Sequence, residues 1–363
     1  MNNEVKTTTE QEQIVPFKTR TGMEIISSSP DSYPSLVQDL LLEVGVSMLC
    51  AKPKTGKSTL SRQLSVCVAE GADFLGKPTM HGNVLILNLE GPLGVLNQHL
   101  RKLGYTEKKG VIHIVHEQMP FRGEEGLKKL EATLNALPNI RLVVVDPIAK
   151  FLRLADSDDY DQVSLGIEKL EQVAKNHTLH LMFLTHGKKR HTEDVGDSAI
   201  GSTGFRGGTD TNVFLGKQGA QRVISVEQRW GVAIEPTLLA FDEEQQAMRL
   251  GTTVEEDMNA HQEAKDRRTQ LRIEQEIWNA LCTTKNPTQQ ELLGVVKGKT
   301  TTKLTVLEEM IRSNAVAVEP DGKAIRYRAL VPQEKSINAD EQLAGPGMNC
   351  FMTQFGDVPA DPD

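Results

Sequence analysis

A chain of 363 residues, 38% of them apolar, has room for about two domains of roughly 150 residues each, with polar segments left over. A formal net charge of −8 and an aromatic content of 4% argue against a protein that holds nucleic acid by bulk charge or by a surface of stacking rings, so any such contact must come from local basic patches. Cys50, Cys67, Cys282 and Cys350 lack metal-ligand spacing and no apolar run reaches the ~18 residues of a membrane span, which points to reduced thiols in a soluble, cytoplasmic protein without a membrane partner.

In chain order, residues 1–20 are rich in Asn, Thr, Glu and Gln and are expected to form a disordered tail. Residues 21–250 read as one layered α/β domain, because short apolar runs alternate with helical patterns. The runs Val46–Cys50, Asn83–Leu89, Val111–Val115, Arg141–Val145 and Leu179–Thr185 have the continuous apolar character of strands buried on both faces of a parallel sheet. Between them, Leu60, Leu64 and Val68 mark one helix, and Leu93, Leu96, Leu100 and Leu103 a second. Leu127, Leu130 and Leu134 mark a third, and Val163, Ile167, Leu170 and Ala174 a fourth. After Asp210 the period shortens: Asn212–Gly216, Val223–Glu227, Leu238–Phe241 and Ala247–Leu250 predict strands joined by turns, an antiparallel extension of the sheet.

The charged stretch 251–268 reads as a linker with helical character. Residues 269–330 predict a small domain. Ile273, Ile277 and Leu281 give its first helix, and the capping box Thr288-Gln289-Gln290-Glu291 starts a second. Thr300–Ile311 gives the third, and two strand-like runs then flank Pro320-Asp321-Gly322-Lys323, a hairpin signal. Three helices and a hairpin suggest a winged helix-turn-helix. Residues 331–363 read as a disordered acidic tail, and no internal repeat is visible.

The chemistry concentrates at strand ends. Ala51-Lys52-Pro53-Lys54-Thr55-Gly56-Lys57-Ser58, continued by Thr59, follows a predicted strand and opens a predicted helix, the context that a phosphate-binding P-loop requires. Backbone N–H groups of such a loop and the positive end of the helix face phosphate; Lys57 would reach the β- and γ-phosphates of ATP, and Ser58 would ligate Mg²⁺. Ala51 stands where the motif usually has its first glycine, which a methyl group tolerates if the backbone keeps a negative φ. Leu142-Val143-Val144-Val145-Asp146 is an apolar strand ending in a carboxylate; alone it would be read as a turn residue, but beside a P-loop Asp146 fits the Mg²⁺ shell. Glu90, ending another strand, is placed to orient the water that attacks the γ-phosphate, and Thr185 with His186 ends the next strand at the same edge, where a polar pair can sense that phosphate.

With these residues in order, the stretch from about Tyr33 to Leu250 resembles the RecA-like AAA-type ATPases typified by the plasmid replicative helicase RepA. The resemblance rests on Gly45–Cys50, Phe74-Leu75-Gly76-Lys77-Pro78, Leu87-Asn88-Leu89-Glu90, Asp146-Pro147, Thr185-His186-Gly187-Lys188 and Gly201–Gly207. It implies a RecA-like P-loop core with a mostly parallel sheet flanked by helices. It also implies that Glu90 is the catalytic base, that ATP sits between subunits of a homo-oligomeric ring, often a hexamer, and that the loop Lys188–Ser202 lines a pore and touches single-stranded DNA. Val226-Glu227-Gln228-Arg229-Trp230-Gly231 looks like the family's Lys-x-Arg segment, which makes Arg229 the candidate arginine finger and Arg206 the alternate; Glu227 stands in place of the lysine.

Two basic groups remain. Lys188-Lys189-Arg190-His191 is a dense positive run in an acidic protein and falls in the expected pore loop. Lys297, Lys299 and Lys303 surround the start of the third small-domain helix, and Lys323, Arg326 and Arg328 decorate the hairpin, an arrangement suited to duplex DNA, although Glu308 and Glu309 on the same helix oppose it. The expectation is an ATP-driven nucleic-acid motor, a DNA helicase of replication or recombination; the alternative is a non-translocating, ATP-dependent DNA-binding regulator or loader.

Overall fold

The computed structural model describes residues 17–28, 33–116, 123–152, 160–187, 203–322 and 324–330. The expected tail segments 1–16 and 331–363, and the basic loop 188–202, lie outside them. Contacts divide the chain into two units, Met1–Asp257 and Met258–Asp363.

In the first unit, α1 (Gly22–Ser28) buries none of its residues, and a small hairpin of β1 (Ser35–Val37) and β2 (Leu41–Leu42) follows. The main sheet then accumulates strand by strand: β3 (Gly45–Ala51), α2 (Lys57–Glu70), β4 (Asn83–Asn88), α3 (Leu93–Lys102), β5 (Ile112–Val115), α4 (Glu124–Ala136), β6 (Ile140–Asp146), α5 (Ile148–Leu152), α6 (Tyr160–His177) and β7 (His180–His186). After the loop come α7 (Thr203–Gly208), β8 (Thr211–Gln218), β9 (Gln221–Gln228), β10 (Ile234–Asp242) and β11 (Ala247–Thr253). The nine strands lie in the order β11-β10-β9-β8-β3-β7-β6-β4-β5.

Alternation of side chains splits each central strand between two cores. Leu49 and Ala51 of β3, Val84 and Ile86 of β4, and Leu142 and Val144 of β6 face one side with Leu60, Leu64 and Val68 of α2 and Leu96 and Leu100 of α3. Val46, Met48, Cys50, Leu85, Leu87, Val143 and Val145 face the other, under Leu127, Leu130 and Leu134 of α4 and Val163, Ile167 and Leu170 of α6. The result is a mixed α/β fold with a largely parallel central sheet covered on both faces by helices, as the sequence pattern predicts.

One strand corrects that pattern. β8 pairs parallel to β3, with Ser47 opposite Thr211 and Ala51 opposite Leu215, and only β9, β10 and β11 are antiparallel. An apolar run bounded by turns carries no sign of its direction; the connection through α7 returns the chain to the starting edge of the sheet, so β8 runs with its neighbour.

The stretch expected as a linker is part of a 30-residue helix, α8 (Val254–Thr283), within which the division between units falls. The second unit continues with α9 (Gln289–Val295), α10 (Thr300–Arg312), β12 (Val316–Asp321) and β13 (Ala324–Ala329). Ile273, Ile277, Leu281, Leu292, Leu307, Met310, Val316 and Tyr327 form its core. The capping box is present in full: Thr288 accepts from the Glu291 backbone N–H while the Glu291 carboxylate accepts from that of Thr288. The hairpin is paired from Val316–Ala329 to Asp321–Ala324, with Gly322 at its tip in the left-handed region at φ 64°. Among the described residues no helix is long and apolar enough to cross a membrane.

Candidate active site

The parallel strands β3, β4, β6 and β7 deliver their carboxyl ends to one edge of the sheet, and the residues singled out in the sequence meet there. Ala51 is the last residue of β3, paired with His186 and Leu215, so its backbone is that of a strand and its methyl group needs no left-handed geometry. The loop that follows is turned by Lys54 at φ 62° and Gly56 at φ 111°, and α2 starts at Lys57. Lys52, Pro53 and Lys54 are exposed, Thr55 is buried with its hydroxyl donating to the Lys52 carbonyl at 2.7 Å, and Thr59 is half-buried in the first turn of the helix.

Lys57 is buried, and its ammonium donates to the Thr185 carbonyl at 2.7 Å, to Nδ1 of His186 at 2.8 Å and to the Ala51 carbonyl at 3.4 Å. Burial lowers its pKa below the ordinary lysine value, opposed by the charges of Asp146 and Glu90. The Ser58 hydroxyl donates to Asp146 Oδ2 at 2.7 Å. A hydroxyl and a carboxylate in contact, at a helix N-terminus that attracts phosphate, are the hard oxygen donors that suit Mg²⁺ beside a nucleotide.

A family model described as an AAA domain matches residues 11–192. The chain belongs to the AAA-domain family. The match takes in the P-loop, Glu90, Asp146 and His186 and stops before β8. A search of curated proteins finds no match. Membership makes this a P-loop ATPase domain of RecA-like type, with nucleotide binding that usually involves Mg²⁺.

Within this AAA domain the remaining expectations sort by position. Glu90 follows β4 as an exposed residue, its carboxylate 3.6 Å from the Lys150 ammonium of α5. Lys150 also reaches the Leu89 carbonyl at 3.5 Å. Behind the same turn sits Arg62, buried one turn along α2 from Ser58, with Nη1 3.4 Å from Nδ1 of His99. Burial lowers the Arg62 pKa, against the pull of Asp146, and burial followed by the Arg62 charge lowers that of His99. His186, at the exposed end of β7, has its pKa lowered by burial and then by Lys57.

The two arginine-finger candidates lie elsewhere. Gln228 pairs with Thr211 and Thr211 with Ser47, so Arg229, just past β9, stands at the sheet edge opposite the P-loop. Its guanidinium donates to the Gly207 carbonyl at 2.6 Å. Arg206 of α7 is bound by Glu227: Nε donates to Oε2 at 2.7 Å and Nη2 to Oε1. Neither arginine reaches the phosphate edge of its own chain.

Of the expected nucleic-acid contacts, Lys188, Lys189, Arg190 and Lys323 lie outside the described residues. Lys299 is exposed at the N-cap of α10. The others have structural work: Lys303 donates to the carbonyls of Leu293 at 2.8 Å and Val296 at 3.0 Å, Arg326 binds Asp321 and the Asn286 carbonyl, and Arg328 binds Glu319 at 3.0 Å. The basic face expected of the hairpin is therefore largely neutralised by its own acids.

Sequence reasoning did not find Lys150, Arg62 or Arg222, whose Nε donates to the Thr55 carbonyl of the P-loop at 3.2 Å. Only Arg62 left a trace: α2 carries small or apolar residues nearly all round from Leu60 to Ala69, which marks a helix buried on every face and any charge within it as exceptional.

Proposed function

We propose that this AAA domain hydrolyses ATP to drive work on nucleic acid, as a homo-oligomeric ring, a hexamer, of the RepA helicase type in replication or recombination. The observation that carries the reading is the contact of Lys57 with Thr185 and His186, because His186 ends β7 two residues before the basic run Lys188-Lys189-Arg190. A phosphate that draws the ammonium of Lys57 away changes the end of β7, and with it the start of the loop expected to touch single-stranded DNA.

In this reading Lys57 binds the β- and γ-phosphates, and the loop N–H groups from Lys54 to Thr59 wrap the chain of phosphates. Mg²⁺, held by Ser58 and Asp146 when bound, supplies charge neutralisation on the phosphate oxygens. Glu90 orients a water and accepts its proton as the water oxygen attacks the γ-phosphorus and the bond to the β-γ bridging oxygen breaks. Arg229 serves the site of a neighbouring subunit, since it stands at the edge opposite its own P-loop. The test is steady-state ATP hydrolysis with and without single-stranded DNA, run beside Lys57→Ala and Glu90→Gln. DNA-stimulated turnover that both substitutions abolish supports the motor; full turnover in the Glu90 variant removes the assigned base.

A second reading, a non-translocating ATP-dependent regulator or loader tethered to DNA through a winged-helix C-terminal unit, is favoured by the Arg206–Glu227 pair. That pair replaces a second positive finger with a neutral contact inside one chain. ATP hydrolysis indifferent to DNA, with no strand displacement, would select this reading over the motor.

A further inference from the structure

The P-loop has a second wall on the side away from its acids. Asp146 ends β6 and Glu90 follows β4, strands that lie on one side of β3; β8, β9 and β10 lie on the other. From that other side Arg222 of β9 reaches the loop. It pairs across the sheet with Lys217 and Leu239, and Leu239 belongs to the α2-side core, so Arg222 projects on the face that carries α2. Its Nε donates to the Thr55 carbonyl at 3.2 Å, and its guanidinium carbon stands 4.3 Å from the ring centroid of Phe241 on β10. The residue is half-buried, and among the described residues no carboxylate pairs with it.

This wall is built rather than incidental. Phe241 pairs with Met248 of β11, and the Met248 backbone exchanges two hydrogen bonds, each of 2.8 Å, with the buried side chain of Gln63 on α2. The Met248 methyl group lies 2.6 Å from the Cβ that Gly56 lacks, so the glycine of the P-loop is shaped to this wall as well as to phosphate. The phosphate helix, the loop and the antiparallel strands are thus locked into one piece.

Direction follows from the acids. In the ATP-binding reading, Ser58 and Asp146, in contact, would hold the metal, and Lys57, seated against β7, would hold the terminal phosphates, both on the β7–β6 side of the loop. A nucleotide anchored there and running along the loop carries its nucleoside end toward β8–β10. We propose that Arg222 and Phe241 form the nucleobase subsite: the flat base stacks on the outward face of the guanidinium, which Phe241 backs from behind. The subsite rests on the ATP-binding reading above and adds where the base lies and what recognises it, a planar cation and a ring rather than an edge-reading set of hydrogen bonds.

The experiment is calorimetric titration of the full chain with Mg-ATP and, separately, with magnesium tripolyphosphate, which offers the phosphates without a base. The variants are Phe241→Leu, Arg222→Gln, which keeps a donor for Thr55, and Lys57→Ala, each checked for an unchanged melting temperature. Loss of one stacking partner is expected to weaken ATP about tenfold and to leave tripolyphosphate within about twofold, whereas Lys57→Ala weakens both. Equal weakening of both ligands by Arg222→Gln would assign that residue to the phosphates and overturn the subsite, as would unchanged ATP affinity in Phe241→Leu. Wild-type protein that binds neither ligand would overturn the ATP reading itself, an outcome separate from either of these.

Discussion

The ammonium of Lys57 lies 2.8 Å from Nδ1 of His186, and because an ammonium only donates, that ring nitrogen is the acceptor. The neutral imidazole therefore carries its proton on Nε2. Any phosphate that engages Lys57 must take it from this seat, so His186 competes with nucleotide. Replacement by alanine removes one of three acceptors, and His186→Ala is expected to bind ATP about threefold more tightly, in line with the roughly 0.5–1.5 kcal/mol net value of one hydrogen bond. Stimulation by single-stranded DNA should fall in the same variant. Fluorescent-nucleotide titration reads the first effect, and unchanged affinity would show that His186 is a bystander.

Glu90 and Lys150 form an ion pair of 3.6 Å in which the side chains are 55% and 43% exposed, so solvent screening holds its contribution to stability below about 1 kcal/mol. Its value is positional, since Lys150 also holds the Leu89 carbonyl and so braces the turn that carries the carboxylate. Glu90→Gln should lower kcat by about 100-fold or more with ATP affinity nearly unchanged. Lys150→Met should leave the melting temperature within about 2 °C and lower kcat several-fold at constant KM. A change confined to KM would place Lys150 on the nucleotide instead.

The difference between what the sequence discloses and what it hides is visible in these residues. The place of Ala51–Ser58 at the sheet edge is legible because strand, loop and helix are contiguous, and the places of Asp146 and Glu90 because a buried parallel strand reads as an apolar run, with Asp146 the last residue of β6 and Glu90 just past β4. Capping at Thr288 and Glu291 is legible for the same reason, being complete within four residues. Lys150, Arg222 and the Arg206–Glu227 pair are not. Arg222 stands 167 positions from Thr55 in the chain, and only the sheet order brings them together. The parallel course of β8 is hidden likewise, since a strand's direction is set by where its connection returns and not by its own residues.

Gly56 is required by its backbone, and a side chain there would also displace a neighbour. Its φ of 111° is strained for any residue with a side chain, and a Cβ there would meet the Met248 methyl group at 2.6 Å. Gly56→Ala should therefore destabilise the nucleotide-free protein by about 2 kcal/mol or more. Adding Met248→Ala relieves the contact but not the backbone, so the double variant should still be less stable than Met248→Ala alone. Urea midpoints of the four proteins decide this; full relief by the second substitution would mean that the backbone tolerates alanine.

Acid should weaken the fold through His180. This residue begins β7 fully buried, with Nε2 2.8 Å from the Ser47 hydroxyl, and burial pushes its pKa down to about 4. Between the ordinary histidine value of 6.5 and about 4, the unfolded chain holds a proton at this site that the native chain does not. Stability contributed by the neutral ring is therefore full above 6.5 and falls as the pH drops, by roughly 1.4 kcal/mol per unit, until it levels near pH 4. Urea denaturation at pH 7 and pH 5 should differ by about 2 kcal/mol from this source, and His180→Gln should flatten the slope. An unaltered slope in that variant would shift the effect to other groups, with His99 the next candidate because its pKa is also lowered by burial.

The C-terminal unit makes a sharp distinction between two lysines that the sequence placed together. Lys303 closes the end of α9 by donating to the Leu293 and Val296 carbonyls, groups that a helix end otherwise leaves unpaired. Lys299 is exposed, and its side chain makes no cap at the start of α10. Lys303→Ala should thus lower the stability of the full chain's C-terminal unit by about 1–2 kcal/mol, while Lys299→Ala should leave it unchanged. If duplex DNA docks on this helix, Lys299→Ala should weaken binding and reduce the salt dependence by about one counterion. Arg326 and Arg328 should contribute little, because Asp321 and Glu319 already neutralise them. Binding isotherms over a salt series, set beside thermal melts of the same variants, separate the two roles: loss of affinity only where stability is lost would show that this helix face does not carry DNA.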